Sequence, residues 1–545
     1  MGYHNRTMTC VAGVLAIAAL AVNVGGQTAR VGTVVFPNSG AAAAQASFLY
    51  GLAQLHNFEY DDAARAFREA QQIDPAFTMA YWGEAMTRNH PVWMEQDLGG
   101  ARRILERFAP TAALRLQKAG SERERAYLAA VEVLFGAGDK RERDIKYLDD
   151  MRRLRATYPE DIEASAFYAL ALLGSAHEGR DEAIYIQAAA VLEELYATHP
   201  DHPGVAHYLI HSYDDPVHAP LGLRAARKYF AIAPEAPHAL HMTSHIYLAA
   251  GMWDDVVAAN ERATQVAAQR AAKDGRIAGG CGHPNMWLMY GYLQQGRVSA
   301  AKRILDGCRT IATSARGTAL RAPEQDPLDP DNIPAGSYIQ MWSRFVLDTD
   351  GWRSEVIAEE IPLGNLAGAR FTRAFVRAIA AARRNDASAL RDSAREVTNA
   401  RDDLERVLAD RRETADQYRR RADVLAKEIA ALSLLAAGNA DGAIALLRDA
   451  AAEEGRMRVE FGPPFVDKPA AELLGETLAS AGIHSEAVAA FRTALKSAPN
   501  RTPALLGLAR AAARAGDRDA SADAYARLAA IWRNAEQRPA DLPTR

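Results

Sequence analysis

Residues 238 to 246 read HALHMTSHI, and residues 207 to 211 read HYLIH. On a helix the spacings i, i+3, i+4 and i+7 return to one face, so His238, His241 and His245 share one stripe and His207 and His211 another. Neutral imidazole is a ligand for zinc, copper, iron and nickel, and an i,i+4 pair clamps a metal from a single helix. Two such pairs on neighbouring helices would bring four imidazoles around a shared volume. Asp214 and Asp215 follow His211 by about one turn, where a carboxylate can ligate a metal or fix an imidazole tautomer. The glutamate of a His-Glu-x-x-His protease is missing from both segments, which disfavours that chemistry. Nine of the chain's 14 histidines lie between His199 and His283, too concentrated for an even scattering. The competing reading needs no metal: grouped imidazoles also bind peptides, satisfy buried carbonyls or respond to pH. His202 and His283, each beside a proline at a helix start, and His218, in the loop DDPVHAPLG, are the weaker candidates.

Helices in register must position these side chains. The segment FLYGLAQLHNFEYDDAARAFREAQQIDPAFTMAYWGEA carries small and aromatic landmarks at Gly51, Ala63, Phe67, Ala70 and Pro75. ELLGETLASAGIHSEAVAAFRTALKSAPN repeats them at Leu474, Gly475, Phe491, Ala494 and Pro499, and a further unit follows with Gly516 and Tyr525. Small residues let paired helices approach, the aromatic fills the gap to the next unit, and proline ends the second helix. These segments resemble the tetratricopeptide repeat, a helix-turn-helix unit of about 34 residues. The predicted fold is all-α: a solenoid of stacked helix-turn-helix repeats, curved into a superhelix with a concave groove. In this register His207 and His241 take position 5 of their units, His211 and His245 position 9, and His238 and His283 position 2. The resemblance implies that positions 2, 5 and 9 line the groove. It places Trp82 and Met86 there, followed by Asn89 and His90, and also Tyr290, Glu472 and Glu476. The alternative is that Trp82 packs in the core and the glutamates are solvated. A groove with an aromatic wall, histidines and carboxylates suits a peptide, a protein segment or a small molecule.

The net charge of -4 and isoelectric point near 6.4 carry no nucleic-acid footprint. The amino end has Arg6, an apolar run from about Val11 to Val24 and small residues after it, the pattern of a cleavable export leader, with an uncleaved anchor as the alternative. No later stretch is apolar for the ~20 residues that a membrane span needs. Export to an oxidising compartment makes Cys281 and Cys308 a disulfide candidate. The chain divides into a signal peptide (1–27), an extended segment (28–44), a histidine-rich array (45–320), a Pro/Asp-rich loop (321–337), irregular helical repeats (338–430), a second array (431–535) and a disordered tail (536–545).

Five longer motifs, VVFPNSG, AYWGEAMTRNHPVW, HPGVAHYLIHSYDDPVHAP, APHALHMTSHIYLAAGMWDD and FGPPFVDKPAAELLGE, resemble those of a family of exported bacterial tetratricopeptide proteins. The resemblance runs from about residue 32 to 530. It implies architecture and a periplasmic or secreted location and brings no reaction. Three functions fit the residues. The first is an exported binding solenoid presenting a histidine-lined groove to a peptide or small ligand, with or without zinc, copper or iron. The second is a metal-dependent enzyme using His207, His211, His241 and His245, with Glu472 or Glu476 as general base. The third is an assembly scaffold. No phosphate-binding loop, dinucleotide fingerprint or nucleophile elbow supports other chemistry.

Overall fold

The computed structural model describes residues 30–275, 279–314, 333–409 and 415–542. Among them are 24 α-helices packed in sequential pairs, and a two-residue antiparallel bridge joining Asn89–His90 to Glu95–Gln96. The fold is thus the all-α helical-repeat solenoid that the landmarks predict. The packing shows why those residue types recur. Phe67, on helix Tyr60–Ile73, lies between Gly51 on helix Gln45–His56 and Gly83 on helix Thr78–Met86. A Cβ at Gly51 would stand 3.1 Å from the Phe67 ring, and one at Gly83 nearer still. Phe491 sits the same way between Gly475, whose Cβ would stand 2.9 Å from the ring, and Gly507. Any larger side chain would push one helix off the aromatic that mortars it to its neighbour.

The helices that carry the histidines begin with proline at their first position, Pro203–Ser212 and Pro237–Ala249, where the missing N–H has no helical partner to lose. Other helices start on Asp161, Asp181, Asp386, Asn439 and Asp517, whose side chains accept from backbone N–H groups of the first turn.

The array curls until its carboxyl-terminal units meet its middle. Trp253 Nε1 donates to the Asn500 carbonyl at 2.8 Å, Asn500 Nδ2 donates to the Gly251 carbonyl at 3.1 Å, and Trp532 Nε1 donates to the Gln294 carbonyl at 2.8 Å. Gly251 has φ 66°, and a Cβ there would run into the Pro499 carbonyl, so this seam requires glycine twice over. On the other side Arg458 Nη1 donates to the Gly179 carbonyl at 3.2 Å. The two halves line a partly open cavity of ≈ 1260 Å³.

Several expectations change. Residues 334–337 open the helix Pro334–Asp348 and so leave the proposed Pro/Asp-rich loop; the rest of that loop lies outside the described residues apart from Ile333. The described part of the tail is packed: Asp541 accepts from Arg510 and Tyr525, Leu542 is buried, and Glu536 accepts from Ser299. The leader lies outside the described residues. Cys281 and Cys308 are joined as a disulfide with Cα atoms 4.6 Å apart. No described helix is long and apolar enough to cross a membrane.

Candidate metal centre

The helices Pro203–Ser212, Pro237–Ala249 and His283–Gln294 bring six imidazoles into one contiguous cluster. It divides into two sets, His207 with His211 and His238, and His241 with His245 and His283. Within each set one potential ligand atom per residue lies within 4.8 Å of the others. The sets are adjacent: the His211 and His245 rings are 5.9 Å apart and those of His238 and His241 6.2 Å. The two His-x-x-x-His pairs therefore head neighbouring groups, each completed by a position-2 histidine, and do not close on one point.

The outer nitrogens are tied to the protein in a consistent way. His207 Nδ1 lies 2.7 Å from the His56 carbonyl, His241 Nδ1 2.7 Å from Asn260 Oδ1, and His245 Nδ1 2.5 Å from Asp214 Oδ2. Asn260 Nδ2 donates to the Val256 carbonyl at 2.9 Å, which fixes the amide so that its oxygen faces His241. His207 and His241 must then carry their proton on Nδ1 and turn the lone pair of Nε2 inward, the arrangement by which proteins orient imidazole on a metal. His241 Nε2 and His245 Nε2 face each other at 3.3 Å. Two ligands at ~2.05 Å on a tetrahedral ion stand about 3.3 Å apart, so this spacing fits one shared ion.

Burial lowers the affinity of His207, His211, His238, His241 and His245 for protons well below the usual imidazole value, and neighbouring imidazoles add to the effect. They remain neutral and available as donors. Burial also pushes Asp214 up to about 7, against the pull of Arg180. With Asp214 carrying a proton, His245 can pass one on toward His241. With Asp214 ionised, His245 Nδ1 donates to it and both Nε2 lone pairs face each other, the state that suits a metal.

Aromatic rings wall the cluster. Phe58, in the left-handed region at φ 56°, lies 4.4 Å from the His207 ring and 5.9 Å from that of His211. Trp287 lies 4.2 Å from His245. From the far half of the chain Phe461 reaches to 6.1 Å from both His211 and His245, and a Cβ on the next residue, Gly462, would stand 2.6 Å from Trp287. His238, His241 and His283 line the large cavity together with Tyr60, His90 and Trp93.

The other expected groove residues lie elsewhere. Trp82 is buried in the core, stacked on Phe36 at 6.0 Å and edge-on to Tyr127 and Phe167, because the amino-terminal segment fills the groove at that unit. Met86 and Asn89 border a separate cavity of only ≈ 20 Å³. Tyr290 is buried against Arg501, which donates to its hydroxyl at 3.1 Å. Glu472 accepts from Lys468 at 2.5 Å and Arg501 at 2.8 Å, while Glu476 pairs with Lys468 and Arg383. Those cations hold both glutamates below the ordinary carboxylate range against the cost of burial. Neither lines the histidine cavity, so the general-base role expected of them is withdrawn. Asp215 is engaged by Arg180 and by His218 Nδ1 at 2.7 Å, and of the two aspartates only Asp214 touches the cluster.

A third set joins His202, a weak candidate from its place at a helix start, with His56 and Glu163, which no spacing links to it, and is closed on itself. His202 Nδ1 accepts from the Val205 N–H at 3.2 Å, so Nε2 donates to Glu163 at 3.0 Å. His56 places Nε2 2.6 Å from Glu163 and Nδ1 2.8 Å from the Tyr208 hydroxyl. Every donor and acceptor of these rings is used, and the network serves to hold the carbonyl on which His207 rests.

No family model matches the chain, and no curated protein matches it. Among solved structures it is similar to the APC/C hetero-tetramer Cut9-Hcn1, at 13% identity over 87% of this chain and 78% of that one, with a TM-score of 0.34. It is likewise similar to a human IFIT1 dimer with PPP-AAAA, at 12% identity over 88% of this chain and 94% of that one, with a TM-score of 0.35. Superpositions this loose carry no argument about ligands or chemistry.

Proposed function

We propose that this chain is an exported helical-repeat protein that holds a transition metal on His241, His245 and His283 and presents it to a peptide or small molecule in the adjoining cavity. The observation that carries the reading is the pair of Nε2 atoms facing at 3.3 Å, backed by Asn260 and Asp214 on the outer nitrogens. Zinc or copper suits an all-imidazole set, and such an ion would supply Lewis acidity toward a ligand oxygen or nitrogen. The protein's own contribution is to keep the donors neutral, fix their tautomers and exclude bulk water behind Phe58, Trp287 and Phe461. A cavity of ≈ 1260 Å³ exceeds the ~300 to 1,000 Å³ of ordinary small-molecule sites, which leaves room for a short peptide. Export is supported by the leader pattern and by the Cys281–Cys308 bridge, which suits an oxidising compartment.

A metal-dependent enzyme is the second reading. It is favoured by the number of protein ligands, since three nitrogens would leave an ion room for a further ligand, as in catalytic zinc sites. Metal analysis of full-length protein purified without a histidine tag tests both. Zinc or copper should be retained after desalting, and the ion held on His241, His245 and His283 should be lost when His241→Ala and His245→Ala are combined; wild-type protein that retains neither ion removes both readings.

A further inference from the structure

We infer that His207, His211 and His238 hold a second ion beside the first, making a dinuclear, all-imidazole centre that takes a small bridging anion from the cavity. This rests on the metal reading above and adds to it an ion, a ligand set and a ligand class.

The second set has the marks of a binding site in its own right. His207 Nε2, both nitrogens of His211 and His238 Nε2 are buried with no hydrogen-bond partner. Buried polar atoms are almost always paired, and a protein that pairs every atom of the neighbouring His56–Glu163–His202 network leaves these four unpaired, with one ligand atom from each of the three rings within 4.8 Å of the other two. The bond from His207 Nδ1 to the His56 carbonyl assigns the proton to the outer nitrogen and the lone pair to the inner one. Phe58 covers all three rings, at 4.4, 5.9 and 5.7 Å, and so shields the set from water on the side away from its neighbour. The side toward His241 and His245 is left to other imidazoles.

Charge identifies the class of ligand. Six imidazoles bring no negative charge to two divalent ions. Asp214 is the one carboxylate that the described contacts place within hydrogen-bond distance of the rings of His207, His211, His238, His241 and His245, and Asp215 and Glu59 nearby are engaged by Arg180 and Arg270. A pair of dications in a buried site calls for compensating negative charge, which an anion drawn from the cavity can supply. His238, His241 and His283, drawn from both sets, line the cavity, so hydroxide or another small anion can enter where the sets meet.

Copper(II) alone is the probe. Tag-free full-length protein is stripped with chelator, loaded with excess copper sulfate, desalted and measured for copper content and for paramagnetic resonance intensity. The expected result is two coppers per chain, with less signal than the copper content demands because a bridging anion couples the spins. His211→Gln, which keeps the size of the side chain, should fall to one copper whose signal accounts for all of it. Wild-type protein holding a single copper overturns the second site while leaving the His241 site standing. Two coppers with full, uncoupled signal overturn the bridged pair. Wild-type protein holding none overturns the proposal and the reading beneath it together.

Discussion

Replacing His207 and His211 by glutamine removes two titrating rings while keeping polar side chains of similar length, and the effect on stability should depend on pH in a calculable way. Burial holds both imidazoles well below the unfolded value of 6.5. A folded value below the unfolded one means that the unfolded chain takes up protons the fold refuses, so acidification destabilises the fold, and the contribution is fully present only above 6.5. From pH 7 to about 5.5 each ring costs about 1.3 kcal/mol, from 1.36 kcal/mol per pH unit less the partial protonation near the midpoint. Two rings give about 2.5 kcal/mol. Buried carboxyls such as Asp214, pushed up to about 7, act in the opposite sense, but they are common to both proteins and cancel in the difference. The assay is hydrogen exchange at the amides of helix Pro203–Ser212 in metal-stripped protein at the two pH values, corrected for intrinsic rates, because local opening in a repeat array is read there directly. The native protein should lose about 2.5 kcal/mol relative to the variant. A difference that stays constant with pH would mean the rings protonate as easily in the fold as outside it, and the argument that they are neutral donors would fail.

Arg501 is buried between Asp348 and Glu472, so Arg501→Met should lower unfolding stability by about 3 to 5 kcal/mol by stranding two carboxylates, measured by urea denaturation; a loss below about 1 kcal/mol would contradict the network described. Opening the Cys281–Cys308 bridge, which spans 27 positions, should cost about 3.5 kcal/mol by loop-closure entropy, and Cys308→Ser should match wild-type protein under reductant.

Much of the architecture was legible because it is written locally. Gly51 with Phe67 and Gly475 with Phe491 mark helix approach within a unit, and the i,i+4 histidines mark a face, so both arrays and both histidine pairs follow from spacing. Trp82 takes the core packing that was the alternative to its groove placement, because position 5 lines a groove only where the groove is open, and Phe36 fills it there. The cover from Phe461 and the paired state of Glu472 were invisible for a different reason. They depend on how far the superhelix turns, which accumulates over many units from small rotations that no single segment reports. The Nδ1 partners Asn260 and Asp214 lie 19 and 31 positions from their histidines, and in the case of Asn260 no motif flags an asparagine inside a helix as a ligand-orienting group.

An open stack of repeats can grow or shrink by whole units with little effect on the remainder. Here Asn500 meets Gly251 across 249 positions and Arg458 meets Gly179 across 279, so inserting or removing one unit between either pair would throw the join out of mesh. Built from the parts of an extensible rod, the chain behaves as a hoop of fixed circumference, and its number of units is no longer free to drift.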